Sequence, residues 1–198
     1  MKKLVMMAVS LFVCVSVIKA QKVEGNLDFL KKANELHVKF DYKGAMIKNQ
    51  TEQQYIAENV KSKNKEKKGK GDEWKTEWET TTKDLIHEVF VKDLNKELAG
   101  KGIEAGDFPD AEYVATVKVI SLDPGYMAGP LTKPSIVTVE VTFTKKGSPK
   151  VLAKVTIKKA KGSAYDFGNT YGSDGRRIGS SYCEAGEKLG KTIKKVLK

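Results

Sequence analysis

Residues 136–157 read IVTVEVTFTKKGSPKVLAKVTI, and the architecture follows from this stretch. Val137, Val139, Val141 and Phe143 alternate with polar residues, as do Val151, Ala153, Val155 and Ile157. Each half is therefore a strand with one face in a core and the other toward water. Lys146-Gly147-Ser148-Pro149 between them is turn chemistry, which closes the two halves into an antiparallel pair.

Upstream, Tyr113, Ala115, Val117 and Val119 repeat the same alternation, and Asp123-Pro124-Gly125 opens a longer loop leading to the next strand. The three segments make an antiparallel meander. Leu36, Val38, Phe40 and Tyr42 alternate with His37, Lys39, Asp41 and Lys43, giving a fourth strand. Between it and the meander the period changes. Trp74, Trp78, Leu85, Ile86, Val89, Phe90, Leu94 and Leu98 fall at three- and four-residue spacings, so a long helix is expected over 72–98. Gly100 and Gly102 stop it, and Thr80-Thr81-Thr82 weakens its middle. A helix in this place lets the first strand run parallel to the 113–119 strand through a right-handed crossover. A final helix over about 176–197 carries Ile178, Tyr182, Ala185, Leu189, Ile193 and Val196 on one stripe, with Gly179, Cys183, Gly186 and Gly190 beside it. Glycine costs a helix about 1 kcal/mol against alanine, so this small stripe points to close packing of another backbone. The expected fold is α+β: a four-stranded, mostly antiparallel sheet with two long helices on one face.

Met1-Lys2-Lys3 precedes an apolar stretch from Leu4 to Ala20 that is broken only by Ser10, Ser16 and Lys19. A positive start, a short greasy core and a small residue at the junction are the features of a secretory signal, and a membrane-spanning helix needs a longer run. Residues 1–20 are read as a signal peptide, with Gln21 as the first mature residue of a single domain, 21–198. The expected location is periplasmic or secreted. Cys14 lacks the small residue ahead of it that lipid attachment prefers, so a lipoprotein is not expected. Its removal leaves Cys183 alone, without an intramolecular disulfide.

The formal charge is +11, and the signal carries three lysines and no acid, leaving about +8. Lys61, Lys63, Lys65, Lys67, Lys68 and Lys70 are broken by a single acid, Glu66. Residues 48–71 read as a polar connection with a short helical turn around 53–60, ending in a flexible Lys-rich loop at about 61–71. Clustered lysine attracts anionic lipid headgroups, lipopolysaccharide or an acidic partner. Nucleic acid is not an expected partner, since the run lacks arginine and interleaved aromatics.

His37 and His87 are the only histidines, and neither has a partner at metal-ligand spacing. Both read as structural or solvent-facing, Cys183 as a packed thiol, and no metal, cofactor or catalytic residue is expected. Asp107, Asp110, Glu112 and Asp123 lie near strand ends, and a small periplasmic hydrolase would need two of them in one cleft. A carrier of a small apolar ligand would instead need a sizeable cavity under Trp74 and Trp78. The 162–175 loop sets Tyr165, Phe167 and Tyr171 among glycines and leads into Arg176-Arg177; Tyr126 and Met127 sit in a similar loop. Aromatics on glycine-rich backbone build contact surfaces, and the arginines at a helix start suit an anion.

Leu94, Leu98 and Gly102 closing a helix, followed by Asp110-Ala111-Glu112-Tyr113-Val114 opening a strand, resembles the helix-to-strand junction of bacterial envelope proteins. These are similar in turn to the periplasmic domain of the curli secretion channel and the amino-terminal domain of TolB. The likeness covers roughly residues 36–45 and 72–197, without a lipobox or a membrane-spanning hairpin. It implies an α+β envelope domain that acts by binding, and with the signal and the lysine run the expectation is an exported, non-enzymatic accessory module with an envelope protein or anionic envelope surface as partner.

Overall fold

All four alternating segments are strands of one sheet. The computed structural model describes residues 21–128, 131–163 and 174–198. After β1 (Gln21–Gly25) and a short helical turn come β2 (Glu35–Asp41), β3 (Met46–Ile47) and β4 (Gln50–Thr51). Helices α1 (Glu52–Glu66), α2 (Lys70–Glu77) and α3 (Lys83–Leu98) follow, then β5 (Glu104–Gly106) and β6 (Tyr113–Asp123). The chain continues through β7 (Tyr126–Ala128), β8 (Leu131–Lys133), β9 (Ile136–Lys145) and β10 (Val151–Lys161) to α4 (Asp174–Lys194).

The architecture is α+β, with a sheet richer than the four-stranded one expected. Eight strands form a mixed sheet in the order β1-β10-β9-β6-β2-β5, with β3 beside β6 and β4 beside β3, and β7 and β8 form a separate hairpin. The expected meander is present as β6, β9 and β10, all antiparallel. The expected parallel pair is present as well, with Leu36 opposite Tyr113 and Phe40 opposite Val117. What the sequence pattern does not display are strands of two to five residues, too short for an alternation to register.

Burial follows the alternation. Val117, Val137, Val139, Val141, Phe143, Val155 and Ile157 are wholly buried, and Ile178, Tyr182, Ala185, Leu189 and Ile193 of α4 meet them from the other side. Removing each such aliphatic side chain from water contributes about 1.5–3 kcal/mol, which outweighs the helix-weakening glycines on α4.

Those glycines serve the packing of α4 on α3. A Cβ on Gly186 would lie 2.2 Å from the Phe90 carbonyl oxygen, and one on Gly190 would lie 2.9 Å from that of Leu94. The two helix backbones are thus in direct contact along the small stripe. The long helix also departs from a single run. Between α2 and α3, at Trp78–Thr82, the chain takes a π-helical turn where the three threonines stand. Thr80 Oγ1 donates back to the Thr76 carbonyl at 2.8 Å, the side-chain competition with the backbone ladder that loosens helices.

The Lys-rich segment is a correction to the expected flexible loop. It is the tip of a helical hairpin made by α1 and α2. Thr51 and Gln54 form a reciprocal capping box at the start of α1, and Gly69, at φ +87°, turns the chain into α2. Gly71 brings the helices together, since a Cβ there would sit 2.3 Å from the Val60 carbonyl oxygen. Asn64 stitches the two, its Oδ1 accepting from the Gly71 amide at 2.8 Å and its Nδ2 donating to Asp72. Tyr55, Trp74 and Trp78 pack ring on ring at the base, with centroids 5.3–5.9 Å apart.

Replacing Gly186 by alanine forces a methyl into a backbone carbonyl, and overpacking of this kind costs about 1–3 kcal/mol, more than the roughly 1 kcal/mol that helix propensity returns. Gly186→Ala is expected to lower the denaturation midpoint more than Gly190→Ala, whose closest backbone contact, the Leu94 carbonyl oxygen at 2.9 Å, leaves more room than the 2.2 Å at Gly186. Parallel urea titrations measure both, and a stabilised Gly186→Ala protein would refute the packing account.

Candidate functional site

Two surfaces carry the groups singled out from the sequence. The first is the hairpin tip. Lys63 leans back over the Trp74 ring, 5.7 Å from its centroid, and Lys70 is paired with Glu66. Lys61, Lys65, Lys67 and Lys68 are exposed, and no ion pair engages any of these four among the described residues. The tip is a braced cationic end whose charge is displayed rather than neutralised.

The second surface is a groove of about 720 Å³ between β2 and α3. Both histidines of the chain line it, along with Phe40, Val91, Lys92 and Asp107. His37 is a correction to the solvent-facing reading of its strand face, being only 9% exposed. Its Nδ1 lies 3.5 Å from Asp107 Oδ1 without a hydrogen bond. His87 stacks on Phe40 at 4.1 Å between centroids and lies nearly parallel to Tyr42, with Nε2 buried and unpartnered. The convergence follows from the crossover, which lays α3 beside the strand that precedes it; alternation along β2 alone does not reveal it.

The aromatic loops are placed in part. Tyr165, Phe167 and Tyr171 lie outside the described residues, as do Cys14 and the rest of 1–20. Tyr126 is half exposed at the start of β7, and Met127 follows it in the same strand. Arg177 holds the neighbouring turn, its Nε donating to the Pro124 carbonyl at 2.7 Å while its own carbonyl accepts from the buried Ser135 hydroxyl at 2.6 Å. Arg176 beside it is exposed. Cys183 packs, partly buried, against the core.

The four carboxylates are distributed. Glu112 and Asp123 stand at opposite ends of β6, eleven residues long, about 35 Å apart at strand spacing. Lys146 and Lys145 hold the Asp110 and Glu112 carboxyls below their ordinary range through charged hydrogen bonds. Partial burial works to raise Asp123, but Lys133 and the Gly125 amide outweigh it and hold it down. Carboxyls so held stay ionised and donate protons poorly, and of the four only Asp107 lines the groove. Among the described residues no group of three His, Cys, Asp or Glu is placed to hold a metal ion. The apolar space under Trp78 amounts to about 20 Å³, room for about one water and far below a small-molecule site.

Burial holds the His87 imidazole below its ordinary value of 6.5; Asp84 opposes this shift and Lys83 adds to it. The unfolded chain therefore takes up a proton at higher pH than the native one, so this contribution to stability is full above about pH 6.5 and is lost as pH falls below it. His87→Phe, which keeps the stacking, is expected to lose less of its melting temperature between about pH 7.5 and about pH 5.5 than the parent. Equal losses in a pair of thermal scans would refute the burial account.

Among the described residues no helix is long and apolar enough to cross a membrane. The chain matches no protein-family model, no curated protein and no solved structure.

Proposed function

We propose that this is an exported, non-enzymatic binding module of the bacterial envelope that presents its helical hairpin to an anionic envelope surface. One observation carries the reading: the lysine run is built into a braced hairpin, leaving Lys61, Lys65, Lys67 and Lys68 exposed and unpaired among the described residues. Ordering such a tip brings like charges together, and an anionic surface would relieve that repulsion. Lys63 and Lys70 support the tip through Trp74 and Glu66.

Export rests on the signal-like segment at 1–20. Gln21 lies in the edge strand β1, with Nε2 donating to the Lys188 carbonyl and Oε1 accepting from Thr192. The likeness to envelope domains at 94–114 points the same way. The loops around Tyr126 and Tyr165 remain the proposed contacts for a protein partner, with Arg176 at their edge. Hydrolysis and ligand carriage draw less support, from Asp110, Glu112 and Asp123 each tied to its own lysine, with Asp107 apart from them in the groove, and from a cavity of about 20 Å³.

Each lysine near an anionic lipid surface contributes about 1 kcal/mol, so changing Lys61, Lys65, Lys67 and Lys68 together to Gln is expected to weaken binding by two to three decades, an order-of-magnitude figure. Co-sedimentation of residues 21–198 with phosphatidylglycerol vesicles measures this, and the parent's binding is expected to fade as salt shortens the screening length. Equal sedimentation of parent and variant, or equal binding to purely zwitterionic vesicles, would overturn the reading.

A further inference from the structure

The groove beside β2 is a gap in the sheet. β6 is flanked on one side by β2 and then β3, laid end to end. Outside that row stand β5, which pairs with β2 only over Glu35–His37, and β4, which pairs with β3 at Met46–Ile47. Among the described residues no strand covers Val38–Asp41 on this outer side. The uncovered stretch is four residues long, about 13 Å of strand, and begins where β5 ends.

The gap has a back wall and polarised rims. Phe40, His87 and Val91 close the helix side with apolar and aromatic surface, Glu88, Lys92 and Asp107 stand along the rim, and on the open side Lys39 shares its strand face with Asp41. Lys39 and Lys92 have no ion pair among the described residues. An open strand edge is a hazard that proteins normally blunt with charge, a bulge or a cover. Here it lies at the bottom of a trough, protected from flat edge-to-edge pairing and reachable by a single extended chain.

We infer that this gap is a docking site for an extended peptide of a partner protein, which completes the outer row of the sheet from β5 onward by main-chain pairing with Val38–Asp41. Continuity with β5 sets the seat, because the incoming strand takes the place that β5 vacates at Asp107. Side-chain alternation sets the chemistry. Residues turned toward α3 meet Phe40, His87 and Val91 and are apolar; of those turned away, the one opposite Lys39 is acidic, and its neighbours, beside His37 and Asp41, are uncharged. The ligand class is therefore an alternating aliphatic and polar segment with one acid at its centre, and the site is distinct from the cationic hairpin.

The test titrates a capped five-residue peptide of threonine, valine, glutamate, valine and threonine into ¹⁵N-labelled residues 21–198. Expected are amide shifts concentrated at Val38–Asp41 and Gly106, and about tenfold weaker binding when the peptide's central amide is N-methylated. Lys39→Glu is expected to lose the peptide with glutamate at its centre and to accept one with lysine there, a swap that a misfolded variant would not show. Equal binding of the N-methylated peptide, or shifts confined elsewhere at millimolar peptide, would overturn the site. Movement of the same amides with protein concentration alone would assign the gap to a second copy and overturn it equally. Vesicle binding is read separately, so loss of one surface does not imply loss of the other.

Discussion

The backbone contact between α3 and α4 is the constraint on which the rest of the molecule depends. Gly186 and Gly190 let α4 settle against the carbonyls of Phe90 and Leu94, and only at that distance do Ile178, Tyr182, Leu189 and Ile193 reach the buried faces of the central strands. Further consequences follow along the chain. With α3 pinned, its exposed side fixes the wall opposite β2, and its first turn fixes where the π turn at Trp78–Thr82 joins it to α2. Gly175 at the start of α4 closes on that turn, since a Cβ there would meet the Thr82 hydroxyl at 3.2 Å. The hairpin and the groove are thus positioned by one helix–helix seam.

Much of this was legible in the residues. Period-two runs at 36–42, 113–119, 137–143 and 151–157 became the central strands because each buries one face, and burial is what alternation reports. The glycine stripe was legible for the same reason: three costly residues on one line of a helix need compensation, and the Phe90 carbonyl is where it is found. Short edge strands carried no such signal. Gln21–Gly25 pairs with β10 although four of its five residues are exposed, so main-chain pairing and the bonds of Gln21 to α4 hold it.

The lysine segment was misread because charge was weighed and local chemistry was not. Lysine is a good helix former, so mutual repulsion at the tip is opposed by propensity, by the Glu66–Lys70 pair, by Asn64 bridging to α2 and by the cation over Trp74. A capping box written in Thr51 and Gln54 marked the start of α1 in plain sequence. The histidines failed differently. His37 and His87 are far apart along the chain, and only the parallel placement of β2 beside β6, with α3 between them in sequence, brings both to one groove.

On the two proposals together, the surfaces would divide the physical work of recognition. Charge at the hairpin tip acts over about a Debye length, near 8 Å at physiological salt, and so governs encounter and orientation without selecting a sequence. The gap along Val38–Asp41 acts only at hydrogen-bond distance and discriminates by the alternation of side chains, apolar toward Phe40 and His87 and charged toward Lys39. Long-range attraction with little specificity, coupled to short-range pairing with little reach, favours fast association with a chosen partner at an anionic surface. α3 is the mechanical link, since it walls the gap at His87 and Val91 and continues through the π turn into the hairpin.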